Sequence, residues 1–357
     1  MPPLNFTQQK LLATIGIVSG TISLLGSSIL IRMVLMTQGQ NVTYNRLLIG
    51  LSVMDIFHNI SWSLQPFLVP RSNERVWSFG NDRTCSAAGF FVQLGVSVFL
   101  YNGALATYFL ITIVFGVSEK KVVQYAEPWL HVVPLGYPLI TATVGAGIDL
   151  YSSLQLGSLC WIGQYPKGCE DDSETVCIST TIGWIYSGLP AMGTFVFLVV
   201  ANTLIYSKVR TTTGRTLRFA RNGRCHRADR EVAAQSTLYV MACILTLIWP
   251  AILRTLESIG VQREDESDVL VLLLLGQLFY PFQGFWNCLI YVRPRYLRWR
   301  RRAPEQSRWW CFQQALHLEA YVHGTKIGGT TVPEGVPSSG EGQRDDGEED
   351  AEKSVSS

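Results

Sequence analysis

Apolar residues dominate seven stretches of the chain, at about 11–36, 45–69, 84–116, 129–150, 179–207, 232–257 and 268–292, and polar residues collect between them. A lipid core of about 30 Å needs roughly 20 apolar residues in a helix rising about 1.5 Å per residue. Backbone groups in lipid must find partners within their own segment, and these runs are too long for barrel strands. The pattern predicts an all-α membrane protein, a seven-transmembrane helix bundle over 11–293 with a short N-terminus at 1–10. The first run is about twice the length of a signal-peptide core and reads as a helix that stays.

Beyond the seventh stretch, "RYLRWRRRAPEQSRWWCFQQAL" alternates basic and aromatic residues, so 294–318 reads as a juxtamembrane segment with a short amphipathic helix on the inner leaflet. Cys311, beside Trp309, Trp310 and Phe312, is its candidate palmitoylation site. Residues 319–357 turn to Gly, Ser, Thr and acids, hold too little apolar surface to fold, and read as a disordered cytosolic tail.

Charge orients the bundle. The loop "KVRTTTGRTLRFARNGRCHRADRE" carries eight Lys or Arg and "RPRYLRWRRR" six, whereas "KGCEDDSET" sets one Lys against four acids. Basic loops stay in the cytosol, which puts the N-terminus outside and the C-terminus inside. Arg215, Arg218, Arg221, Arg224, Arg227 and Arg230 recur every third residue, but Thr, Asn, Gly, His and Asp intervene, so they read as a solvated cytosolic surface for anionic lipid or a protein partner. A charged fraction of 16% is low for a soluble domain, where roughly 25% is usual.

Polar residues inside the apolar runs are the functional candidates, because lipid tolerates them only toward a bundle interior or a wet cavity. Asp55 is expected about 16 Å from the cytosolic edge, Asn102 about 20 Å and Asn287 about 8 Å, at about 1.5 Å per residue. With Tyr291 they are expected to form a buried polar switch that rearranges between two packings, a bound cation being one way to hold it. His58, alone, reads as a packed residue. Trp249 and Pro250 mark a hinge in the sixth segment, where proline removes a backbone hydrogen bond. Arg254 and Glu257 either pair with each other or face an outer ligand.

Cys85, Cys160, Cys169 and Cys177 fall at the outer face, where disulfides persist. Position favours Cys85 with Cys160 and Cys169 with Cys177; Cys85 with Cys169 or with Cys177 is the alternative. Asn5, in "NFT", is the candidate glycosylation site.

Five stretches in order, "TYNRLLIGLSVMD", "TCSAAGFFVQLG", "YNGALATYFL", "LCWIGQYPKGC" and "PFQGFWNCLIYVRPRY", resemble the cyclic-AMP-receptor-like G-protein-coupled receptors of slime moulds and unicellular algae. The likeness runs to about residue 300. It implies a plasma-membrane receptor in which an extracellular small-molecule or peptide ligand drives a heterotrimeric G protein. The likeness also favours the Cys85–Cys160 bond. Apart from the likeness, the basic stretches point to membrane lipids, and the Ser and Thr residues of the tail to a receptor kinase and an arrestin-like protein, as further partners. Two departures stand out. The third segment ends "ITIVFGVSEKK" with no arginine latch, and the seventh carries "NCLIY", Asn287 to Tyr291, without the proline of NPxxY.

Other classes fit less well. The seventh segment holds no lysine for a retinal Schiff base, and there is neither a phosphate loop nor a nucleophile elbow. The chain is expected to be no enzyme, and neither a cofactor, a metal centre nor nucleic acid is expected. The alternatives are a multi-pass transporter, which would show internal repeats and helices broken at matching points of two halves, neither of which the sequence shows, and a receptor-like protein that does not couple. Locally, "VVPLGYPLI" reads as irregular.

Overall fold

A computed structural model describes residues 4–36, 42–154, 159–163, 165–166, 169, 177–217, 224–258 and 268–316, with the side chains of 180, 212–233, 254, 257 and 258 outside that description. Residues Met1–Leu318 make one compact unit; the expected tail falls in a second, Glu319–Ser357, outside the described residues.

The molecule is helical. Asn5 opens α1 (Phe6–Met36) with a capping box, its Oδ1 accepting from Gln8 N at 2.9 Å while Gln8 Oε1 accepts from Asn5 N at 2.9 Å. α2 (Thr43–Leu68) follows, and then α3 (Asp82–Leu94), which Asn81 and Thr84 cap reciprocally. After Gly95 the rod continues as α4 (Val96–Phe109) and closes in a π turn, Leu110–Val114. A short α5 (Glu119–Lys121) and a second π turn lead into α6 (Glu127–Gly147). A two-stranded antiparallel hairpin, β1 (Tyr151–Ser153) and β2 (Cys160–Ile162), pairs Ser153 with Cys160. Then come α7 (Ser179–Gly183), a π turn at Trp184–Gly188, α8 (Leu189–Leu217), α9 (Arg224–Ser258), α10 (Leu270–Phe279), a 3-10 turn at Tyr280–Phe282, α11 (Gln283–Arg302) and α12 (Arg308–Leu316).

Six helical stretches among the described residues are long and apolar enough to cross a membrane: Phe6–Met36, Thr43–Leu68, Asp82–Val114, Glu119–Gly147, Thr181–Thr211 and Ala234–Leu253. Their polarity is inside out. On α1 the exposed positions Val18, Ile22, Leu25 and Ile29 are apolar, whereas Ser19, Ser23 and Ser27 are buried. A water-soluble helix would turn the opposite face outward. The common core gathers Leu30, Met33, Leu47, Leu51, Tyr101, Leu105 and Ile205 from α1, α2, α4 and α8.

Two expectations change. The seventh apolar run is not one helix, because Pro281 has no N–H to donate and the chain tightens into a 3-10 turn. Its second half then runs unbroken through Arg302, so the first part of the juxtamembrane segment continues α11. Conversely "VVPLGYPLI" is regular, since α6 carries Pro134 and Pro138 within a continuous helix and buries both.

Candidate functional site

Pro281 leaves the carbonyl of Gln277, four residues back, without a helical donor. Ser19 Oγ on α1 supplies one, at 2.8 Å. On the far side of the break the first amides of α11 need acceptors, and Ser23 Oγ takes Gly284 N at 2.9 Å and Phe285 N at 3.3 Å. One turn further, Ser27 Oγ donates to Asp55 Oδ2 at 2.7 Å, with Ser23 Oγ 3.4 Å from the same oxygen. Serines four apart on an α-helix share a face, so this ladder seals a broken helix where water is scarce. Sequence reasoning passed over it, although the spacing Ser19, Ser23, Ser27 was the available signal.

Asp55 is buried on α2, and Asn59 Nδ2 donates to its backbone carbonyl at 2.9 Å. Its Oδ1 has no hydrogen-bond partner, and neither do Asn59 Oδ1, Ser52 Oγ, Ser97 Oγ or Asn287 Nδ2. Buried polar atoms left unpaired are costly, so this core has unspent capacity for a rearranged set of bonds. Gly284 is held against it, since a Cβ there would overlap Asp55 Oδ2 and Ser27 Oγ.

A second cluster centres on Gln283. Its Nε2 donates to Asn102 Oδ1 at 3.3 Å and Asn287 Oδ1 at 3.1 Å, and its Oε1 accepts from Thr246 Oγ1 at 2.9 Å. One carboxamide thus joins α4, α9 and α11. The expected four-residue switch is therefore divided. Asn102 and Asn287 meet on Gln283, Asp55 belongs to the adjoining cluster around Ser23 and Ser27, and Gly284 links the two through the backbone. Tyr291 takes part in neither; its ring lies 5.2 Å from the Arg295 guanidinium, and Arg295 Nη2 is 3.4 Å from its hydroxyl. Gln283 had no expected role, although an amide four residues before Asn287 in an apolar run puts both on one face.

Trp249, next to Pro250 inside α9, stacks on Phe279 with ring centroids 5.9 Å apart and planes 19° apart. The proline of α9 thus lies beside the break between α10 and α11. His58 is buried, its ring 5.7 Å from Trp62 and 5.2 Å from Tyr280, and it fills the notch at Gly95. Arg254 and Glu257 lie on α9, but their side chains fall outside the described residues.

At the end of the bundle where α2 finishes and α3 begins, Cys85 is bonded to Cys160 and Cys169 to Cys177, with Cα atoms 5.2 and 5.4 Å apart. Gln65 holds the hairpin against α2, accepting from Cys160 N at 2.8 Å and donating to Cys160 O at 3.3 Å. Gln93 does the same from α3, accepting from Trp161 Nε1 at 3.0 Å and donating to Thr141 Oγ1 at 2.9 Å and Tyr186 O at 3.1 Å. Tyr151 packs on Gly89 and Gly145, and burial pushes its phenol above the usual range. Asn5 is exposed.

The opposite end holds a charged cluster that sequence reasoning missed. The Arg46 guanidinium grips Glu127, with Nη2 2.6 Å from Oε2 and Nε on Oε1. Thr43 Oγ1 donates to Glu127 Oε2 at 2.9 Å, Thr43 N to Glu119 Oε1 at 2.7 Å, and Tyr108 Oη to Glu119 Oε2 at 3.0 Å. Beside it the Tyr44 and Tyr239 hydroxyls are 3.0 Å apart, and Gln235 Nε2 donates to Tyr44 Oη at 2.7 Å, tying α9 to α2. Cys311 on α12, the candidate palmitoylation site, is a free cysteine and fully buried.

Fold and site together define a multi-pass helical membrane protein with a hydrogen-bonded polar core. Compared with known proteins, the chain matches no family model and no curated protein.

Proposed function

We propose that this chain is a seven-helix G-protein-coupled receptor of the plasma membrane, with the broken α10–α11 rod as its seventh crossing, the disulfide-bearing end outside and the Arg46–Glu127 end in the cytosol. In this reading an outer ligand shifts the bundle, and the inner face activates a heterotrimeric G protein. The observation that carries it is the three-way bond of Gln283 to Asn102, Thr246 and Asn287. A carboxamide at the break of one helix, holding two others, is a two-state element whose partners can exchange. The Trp249–Phe279 stack beside Pro250 supports the same reading, because a kinked α9 can pivot there. The Tyr44–Tyr239–Gln235 contacts and the Arg46–Glu127 pair take the place of the arginine latch that the third segment lacks. The basic, aromatic run at the end of α11 and in α12 suits a partner face against lipid.

The test is nucleotide exchange on purified heterotrimeric G proteins with the protein in lipid vesicles, against a library of outer ligands. Ligand-dependent exchange that Gln283→Leu abolishes is the expected result. A protein that accelerates no G protein defeats the proposal and leaves a receptor-shaped protein that does not couple.

One observation favours a transporter instead, the interrupted α10–α11 rod, since transporters bind substrates at broken helices. The interruption has no counterpart in α6, which runs unbroken through its two prolines. Solute flux in the same vesicles would establish the transporter reading.

A further inference from the structure

Along most of its length α10 is loosely held. Of its residues only Leu273 and Gly276 are buried, and Val271 is exposed. One end is fixed, because the Gln277 carbonyl takes Ser19 Oγ at 2.8 Å and Phe279 stacks on Trp249. Just beyond, the 3-10 turn at Tyr280–Phe282 separates α10 from α11, and a break of this kind lets one rod move without carrying the next. What holds the other end is then decisive.

That end meets residues that precede α1. Leu4 lies outside the helices yet is 3% exposed, in one apolar cluster with Leu12 of α1 and Leu273 of α10, and Leu253 of α9 and Leu270 pack against them. Two polar side chains aim it there. Asn5 caps α1, so the chain turns at Leu4. A residue in that place ordinarily staples to the fourth residue of its own helix, but here the fourth is Gln9, which is polar. Gln9 Nε2 donates to Leu4 O at 2.8 Å, and its Oε1 accepts from Val76 N, in the connection between α2 and α3, at 3.1 Å. That connection is itself cross-tied, Arg71 N donating to Gly80 O and Gly80 N to Val69 O, each at 3.1 Å. Gln9 therefore anchors Leu4 to a braced loop, and Leu4 closes over Leu273.

We infer that residues 4–9 form a strap that latches the free end of α10. With Leu4 seated, the helix lies closed on α1 and α9; with Leu4 out, it swings about the 3-10 turn and parts from them at the disulfide-bearing end. A knob outside the helices, held by one buried side chain and the carboxamide of Gln9, is an element that opens locally while the bundle stays folded. That this movement carries a signal rests on the receptor reading above; the latch does not.

The full chain in lipid nanodiscs tests the latch, with Leu273→Cys as reporter and a charged methanethiosulfonate, which does not enter lipid, as probe. Mass spectrometry of the modified peptide gives the rate, which follows the open population when opening and closing are fast. In the reporter background Gln9→Leu, of similar volume but without either hydrogen bond, should speed modification at least about fivefold. Leu4→Ala should speed it at least about tenfold. Cys243, buried among α4, α8 and α9, should stay unmodified in every variant. Leu12→Cys on α1 reports on the same seam and covers the case in which Leu273→Cys does not fold. Equal rates in the reporter and its variants overturn the latch. Modification of Cys243 in step with the reporter overturns it too, because the bundle would then be loosening as a whole.

Discussion

Gly284 on α11 rests its bare α-carbon against the Asp55 carboxylate of α2, where a Cβ would overlap Oδ2 and lie 2.9 Å from the backbone oxygen of Ser23. Backbone cannot step aside as a flexible side chain can. Gly284→Ala is therefore expected to destabilise the bundle by about 1–3 kcal/mol, the usual cost of overpacking, and to lower the thermal midpoint in detergent by several degrees. An unchanged midpoint would mean that α1, α2 and α11 do not meet this closely.

The Ser19–Gln277 bond predicts a dependence between two distant positions. Ser19→Ala strands the Gln277 carbonyl and should cost about 1 kcal/mol. In a Pro281→Ala background the restored N–H at 281 can serve that carbonyl, so the same change should become nearly silent. A double-mutant cycle on unfolding measures this coupling; strict additivity would contradict the assignment of the serine as the partner of the break.

At the other end of the bundle, Arg46→Met should destabilise by about 1–2 kcal/mol. That is less than the 3–5 of a fully buried pair, because the Arg46 side chain is 30% exposed against 11% for Glu127. The exchanged pair Arg46→Glu with Glu127→Arg should recover part of the loss that each reversal causes alone. Thermal unfolding of the four proteins reads it directly.

Tyr44→Phe removes the hydroxyl that joins α2 to Tyr239 and Gln235 of α9 while keeping the ring. If these contacts hold a resting state, ligand-free nucleotide exchange rises about fivefold, the factor that about 1 kcal/mol confers. Lower or unchanged exchange with normal expression would remove the latch from the proposal.

Reduction tests the disulfide-bearing end. Closing a long loop by a disulfide stabilises by about 2–4 kcal/mol, and the Cys85–Cys160 bond spans 75 residues. Cys85→Ser should lower the thermal midpoint and remove most of its sensitivity to reductant. A variant as reductant-sensitive as the parent would give that role to Cys169–Cys177.

Six of the apolar runs were legible along the chain as membrane-length helices, because helices in lipid satisfy their backbone locally and need about 20 apolar residues to do so. Lone ionisable and amide residues within them, Asp55, Asn102 and Asn287, stood out for the same reason. Partnership was not legible. Asn102 and Asn287 are bridged by Gln283, while Asp55 binds serines 28 and 32 residues away, and in an apolar helix a serine that bonds its neighbour looks like one that bonds its own backbone. The Arg46–Glu127 pair joins residues 81 apart.

By itself the sequence determined what lipid demands of each segment alone: apolar length and helical backbone. The tertiary structure decided which neighbouring hydroxyl replaces the hydrogen bond that Pro281 removes, which helix supplies the arginine that meets Glu127, and where a glycine lets rods close on a carboxylate. Those depend on helix rotation and contact, set by packing among all the rods at once, and no single stretch encodes them.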